Sequence, residues 1–182
     1  MSQFTVPTRE KVSATNQAIF DNLEKGLGFV PNIYATLALS ENALGSYLAL
    51  QGAKTSLKAK EKEVVNLVVS QVNGCEYCLA AHTALGKMNG FTDEQILDIR
   101  GVEVTFDAKV KALAEITQDI AANKGHISQA NLDNFYAAGY TQENLVDIVV
   151  LVGDKIVTNY LHALTKVPVD FPAAPKLVKA TA

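Results

Sequence analysis

The stretch KAKEKEVVNLVVSQVNGCEYCLAAHTALGKMNG, residues 58–90, decides the architecture. Val64, Val65, Leu67, Val68, Val69 and Val72 cover nearly the whole circumference of one segment. Such β-branched density would also suit a strand. Two features favour a helix. The charged head, Lys58 to Glu63, is rich in helix formers, and a run of about 15 residues exceeds a usual strand. The spacing predicts a helix over about 59–73, broken by Asn73-Gly74, and a second over about 76–89 with Gly90 as its left-handed cap. A helix apolar on every side is a core helix or one buried between subunits. In a domain of this size, a partner subunit is expected to cover part of it.

Outward from this hairpin, proline, glycine and capping residues set the boundaries. A helix is expected over about 13–25, then a short one starting at Pro31, where a missing N–H costs nothing. Ser40 can cap a helix over about 41–54. Thr92 and Gln95 form a capping box for a short helix to about Arg100. Asp107 opens a helix to about 123, Ser128 one to Ala138, and Thr141 a long one to about 165. From Pro168 the chain is rich in Pro and Ala and is expected to wrap a surface. No alternating run supports a sheet, so the fold class is all-α: one compact multi-helix domain over residues 1–182, with a hairpin at about 59–89. A faint repeat at an offset of 80 residues pairs Glu63 with Glu143, Val69 with Val149, Val72 with Val152 and His82 with His162.

Composition narrows the functions. The 182 residues carry 16 Lys and Arg against 19 Asp and Glu, a net charge of -3 that speaks against a general nucleic-acid surface. Hydrophobic content of 48% excludes a disordered chain, and 2 cysteines exclude a disulfide scaffold. No signal-like or membrane-spanning apolar run is evident. The expectation is a soluble, cytoplasmic protein in a reducing compartment, where a cysteine pair is more often working or metal-bound than structural.

Glu63, Cys75, Cys78 and His82 form the constellation that can carry chemistry. Two cysteines at CxxC spacing sit one helical turn apart and can close a disulfide. The helix N-terminus favours a thiolate on the first of them. Cys75, Cys78 and His82 fall on one helix face, so the imidazole can take a thiol proton. Glu63 is 11 residues before Gly74 and His82 is 8 after it. At 1.5 Å per residue, their depths in a hairpin differ by only about 4–5 Å. A buried Glu there can orient the imidazole. Taken singly, each residue has an ordinary reading: a histidine in a core, a glutamate in water. The combination points to redox chemistry. Zinc is the rival, with Cys75, Cys78 and His82 as ligands and His126 or His162 as a fourth, but the spacing along one helix is unusual for a structural site. No Gly-rich nucleotide fingerprint is present, and no cofactor is expected.

The string EVVNLVVSQVNGCEYCLAAH, Glu63 to His82, resembles the signature of the alkyl hydroperoxidase D / carboxymuconolactone decarboxylase family: a glutamate, eleven residues, CxxC, three residues, a histidine. The segment GFVPNIYATLALSENAL, residues 28–44, resembles its peroxidase-related branch. The decarboxylase branch usually lacks the cysteine pair, so the resemblance points away from that activity. It implies an all-helical protein assembled as a homo-trimer or homo-hexamer, with a hydroperoxide substrate and a dithiol protein as reductant. By the same resemblance Cys78 attacks the peroxide, Cys75 closes the disulfide on it, and Glu63 and His82 relay protons. The helix-end argument alone would have chosen Cys75. Tyr77 stands where the best-known branch has a histidine, and tyrosine is a poor base near neutral pH. Two other functions fit the same residues: a general thiol–disulfide oxidoreductase, and a redox-sensing helical oligomer.

Overall fold

A computed structural model describes residues 4–177. Among them lie a 3-10 turn at Arg9–Lys11 and nine α-helices: α1 Ala14–Leu27, α2 Asn32–Leu37, α3 Ala43–Gln51, α4 Ala59–Val72, α5 Glu76–Met88, α6 Asp93–Gly101, α7 Ala108–Ala122, α8 Gln129–Ala137 and α9 Gln142–Thr165. The chain is all-α, as expected. Ser13, Thr92, Asp107, Ser128 and Thr141 each accept a backbone N–H at a helix start. Two boundaries shift. Pro31 is the residue before α2 rather than its first. The helix expected over about 41–54 is shorter; Ser40 accepts from the Ala43 N–H, and Gly52 closes the last turn onto Leu48.

Helix α4 is the central element, packed against α5, α6, α7 and α9. Val64, Val65, Leu67, Val68 and Val69 are fully buried within the single chain. The expectation that a partner subunit covers this helix is therefore corrected. Four neighbouring helices of the same chain bury these five residues, and of the apolar set only Val72, at the end of the helix, is exposed. Leu67 is close-packed: a Cβ added at Gly86 of α5 would meet Ile96 at 3.3 Å and Leu67 at 3.7 Å. Emptying such a site by Leu67→Ala costs about 2–5 kcal/mol. Gly74 turns the chain from α4 into α5 at φ +62°, a region that favours glycine.

The 80-residue repeat does not extend to topology. The match to the α4–α5 hairpin is α9, one uninterrupted helix. Gly153, which aligns with Asn73, stays helical, and Asp154 stands where Gly74 makes the turn.

By length and composition α9 is apolar enough to cross a membrane. Its polar residues, however, point into the protein. Asp154, Lys155, Thr158, Asn159, His162 and Thr165 are buried, whereas Val146, Val149, Val157, Tyr160 and Leu164 are 41–70% exposed. The helix is inside out, and its inner row meets the first turns of α5.

The N-terminal helices close over this junction. Asn16 Nδ2 donates to the carbonyls of Ala38 and Ser40, fixing α1 against the end of α2. The tail after α9 wraps back as expected: Asp170 and the Pro168 carbonyl accept from Asn32, and the Pro175 carbonyl accepts from Arg100. Ile33, Cys75, Tyr77, Cys78 and Val167 form one buried cluster between α2, α5 and the tail.

Candidate active site

Cys75 caps α5: its Sγ accepts from the Cys78 N–H at 3.3 Å, so the second cysteine sits one turn inside. Both thiols are free and buried. Cys78 lines a largely apolar cavity of about 380 Å³ with Phe29, Ile33, Leu85, Met88 and Phe171; Cys75 lies behind it, outside the lining. A slightly larger cleft, about 420 Å³ between Lys60, Phe91, Lys109 and Tyr140, carries neither thiol nor imidazole.

The two thiols differ in acidity. Cys78 is pulled down to about 7, first by hydrogen bonding from Cys75, then by Asn159, the charge of Lys155 and Thr158, against the opposing effect of burial. Cys75 is pushed up, because its hydrogen is turned onto Cys78 and because it is buried. The helix end alone favours a thiolate on Cys75; the direction of that one hydrogen bond overrides it.

Glu63 and His82 meet across the α4–α5 hairpin, with His82 Nδ1 2.8 Å from Glu63 Oε2. Asn66 Nδ2 donates to the other carboxylate oxygen at 3.1 Å. His82 Nε2 lies 3.2 Å from Lys155 Nζ. Burial, then the charge of Lys155, lowers the basicity of His82, and Glu63 only partly opposes them. Lys155 can only donate, so Nε2 accepts and Nδ1–H donates to Glu63.

Sequence reasoning missed the contribution of α9. Lys155 also donates to the Tyr47 hydroxyl at 3.4 Å and pairs with Asp154 at 3.4 Å. Gln51 Nε2 donates to Tyr47, and Tyr34 donates to Gln51 Oε1. The available signal was the polar spacing 154, 155, 158, 159, 162 within an otherwise apolar helix, one face by its period. Tyr77 does not line the cavity. Its hydroxyl accepts from the Ile33 N–H at 3.3 Å, its ring packs on His162 and Phe171, and burial, then Asp170, pushes its phenol up. His162 faces the Val167 carbonyl, and His126 is exposed beyond α7. Among the described residues no group of three His, Cys, Asp or Glu is placed to hold a metal ion.

The family model for the carboxymuconolactone decarboxylase family matches residues 41–119, which hold Glu63, Cys75, Cys78 and His82. Over this stretch the chain is similar to the carboxymuconolactone decarboxylase family. It is 26% identical over 106 residues to the alkyl hydroperoxide reductase AhpD of Mycobacteroides abscessus, covering 57% of this chain and 56% of that protein. Two solved structures share the fold over nearly the whole chain. The uncharacterized peroxidase-related protein of Ralstonia eutropha JMP134 has a TM-score of 0.83 at 18% identity, covering 93% of this chain and 92% of that one. Its counterpart from Silicibacter sp. TM1040 has 0.79 at 21% identity, covering 91% and 90%. The family match stops at residue 119, before α9. Lys155 and the N-terminal wall of the cavity lie outside it.

Proposed function

We propose that this protein is a CxxC-dependent peroxidase that reduces hydroperoxides through a Cys75–Cys78 dithiol/disulfide cycle, served by Glu63 and His82 as its proton relay. One observation carries the reading: the more acidic thiol, Cys78, faces an apolar cavity, with Cys75 one turn behind it and the Glu63–His82 pair beside it. The Cys78 thiolate attacks the terminal oxygen of ROOH. The S–O bond forms, the O–O bond breaks, and the alkoxide takes a proton and leaves as ROH. Cys75 then attacks the sulfenic sulfur; its thiol hydrogen leaves with the hydroxyl as water. Adjacency makes this second step effectively intramolecular. The family resemblance supports a dithiol protein as the reductant and a homo-trimer or homo-hexamer as the assembly; a reducing cytoplasm is the setting this reading adopts.

Rapid mixing of the reduced protein with hydroperoxide tests the reading. Fast, stoichiometric loss of two thiols per peroxide, repeated when a dithiol is supplied, is the expected result. Fast exchange with a protein disulfide but slow peroxide reaction favours a general oxidoreductase. One slow oxidation without turnover favours a redox sensor.

A further inference from the structure

Both ring nitrogens of His82 are occupied, Nδ1 by Glu63 and Nε2 by Lys155. The imidazole has no nitrogen left for Cys78 or for a substrate. Lys155 lines the same cavity as Cys78 and His82. Of its three N–H groups, one goes to His82 and one to the Tyr47 hydroxyl. Its contact with Asp154 is an ion pair at 3.4 Å without a hydrogen bond. One N–H thus remains unassigned on a cation at the cavity wall. The titratable groups around it are Glu63 and His82 from the α4–α5 hairpin, Cys78 from α5, Tyr47 from α3 and Asp154 from α9.

We propose that Lys155 is the acid of the peroxide step: its free N–H donates to the oxygen that leaves as Cys78 attacks. The proposal rests on the peroxidase reading above and moves proton delivery from the Glu63–His82 pair to Lys155. As the S–O bond forms and the O–O bond breaks, the sulfur is oxidised to sulfenic acid and the peroxide reduced. The alkoxide takes the Nζ proton and leaves as alcohol. Lys155, left as a neutral amine, regains a proton from water that enters as the alcohol departs. This replaces the proton that Cys78 released when its thiolate formed. His82 and Glu63 act through Lys155 as positioning residues: Nε2 holds the ammonium, and Glu63 holds the ring.

The test exploits leaving groups. An alkoxide needs a proton to leave, whereas the carboxylate expelled from a peracid does not. Tryptophan is absent, so Cys78 oxidation by cumene hydroperoxide and by peracetic acid is followed by quenched flow and mass spectrometry. The readout is the ratio of the two rates, which cancels any change in thiolate or folded fraction. Lys155→Arg keeps the charge on a group that does not release its proton. Lys155→Met removes both, and Asp154→Asn with Lys155→Met avoids a buried unpaired carboxylate. The cumene-to-peracid ratio is expected to fall roughly 10²–10⁴-fold in all three, the usual contribution of a positioned acid. Equal losses with both oxidants, or a wild-type ratio in Lys155→Arg, overturn the acid role and leave the peroxidase reading standing. Wild-type protein inert to cumene hydroperoxide overturns both.

Discussion

The Cys78 N–H donates to Cys75 Sγ across 3.3 Å, and of the two sulfurs only that of Cys78 lines the cavity. One cysteine is thus placed to meet a substrate and the other to receive the product of that encounter. Alkylation of the reduced protein is expected first at Cys78, with a rate that rises with pH through a midpoint of about 7. One equivalent of hydroperoxide is expected to lower the chain mass by about 2 Da, and Cys75→Ser to trap a sulfenic acid on Cys78. Peptide mass spectrometry reads both. A sulfenic acid on Cys75 in Cys78→Ser, with none on Cys78 in the reciprocal variant, reverses the roles.

Glu63 and His82 are expected to matter as a unit. His82→Ala removes the acceptor that holds Lys155 and is expected to slow peroxide reduction by roughly 10²–10⁴-fold. Glu63→Gln keeps the shape and removes the charge, so a smaller loss and a displaced pH–rate profile are expected from a folded protein. Steady-state rates across pH check this; unchanged profiles in both variants remove the pair from the mechanism.

Tyr77 is expected to support the fold more than the chemistry. Tyr77→Phe leaves the buried Ile33 N–H without its partner, a loss of about 1–3 kcal/mol. The peroxide rate of the folded variant is expected to stay close to wild type. Denaturant titration with rate measurement separates the two effects, and a rate loss as large as that of His82→Ala makes Tyr77 part of the reaction.

The buried imidazole also predicts how stability depends on pH. Burial, then the charge of Lys155, holds the His82 pKa below the ordinary imidazole value of about 6.5. The unfolded chain then binds more protons as pH falls past about 6.5, and stability falls with it. His162, also lowered by burial, acts in the same direction. Melting temperatures from pH 7.5 to 5.5 are expected to decline, and the decline to be shallower in His82→Gln. An identical slope in that variant assigns the acid sensitivity elsewhere.

The helical boundaries and the Glu63–His82 approach were legible in the sequence because both follow from local geometry. Capping residues set the starts, and equal depth about one turn set the meeting. Lys155 was not legible as a site residue, because its place depends on how α9 packs across α5, a contact between residues 73 positions apart. The acidity order of the two cysteines was hidden for a related reason. It depends on the direction of one hydrogen bond, which CxxC spacing leaves open.

Packing between distant elements also decides which apolar face is left open. Periodicity marked α4 as too apolar for one domain, yet α5, α6, α7 and α9 bury Val64, Val65, Leu67, Val68 and Val69. The face left open belongs to α9, where Val146, Val149, Val157, Tyr160 and Leu164 recur at helical spacing and stand exposed. A contiguous apolar stripe on a folded chain is ordinarily an interaction surface. The assembly is therefore expected to form through α9 rather than α4. Light scattering of the wild-type protein is expected to give a trimer or hexamer, and Val149→Glu with Val157→Glu to give a monomer of unchanged helicity. These side chains point away from Lys155, so the monomer is expected to keep its Cys78 alkylation profile. A wild-type monomer at micromolar concentration refutes the assembly, and a variant that stays oligomeric moves the contact off α9.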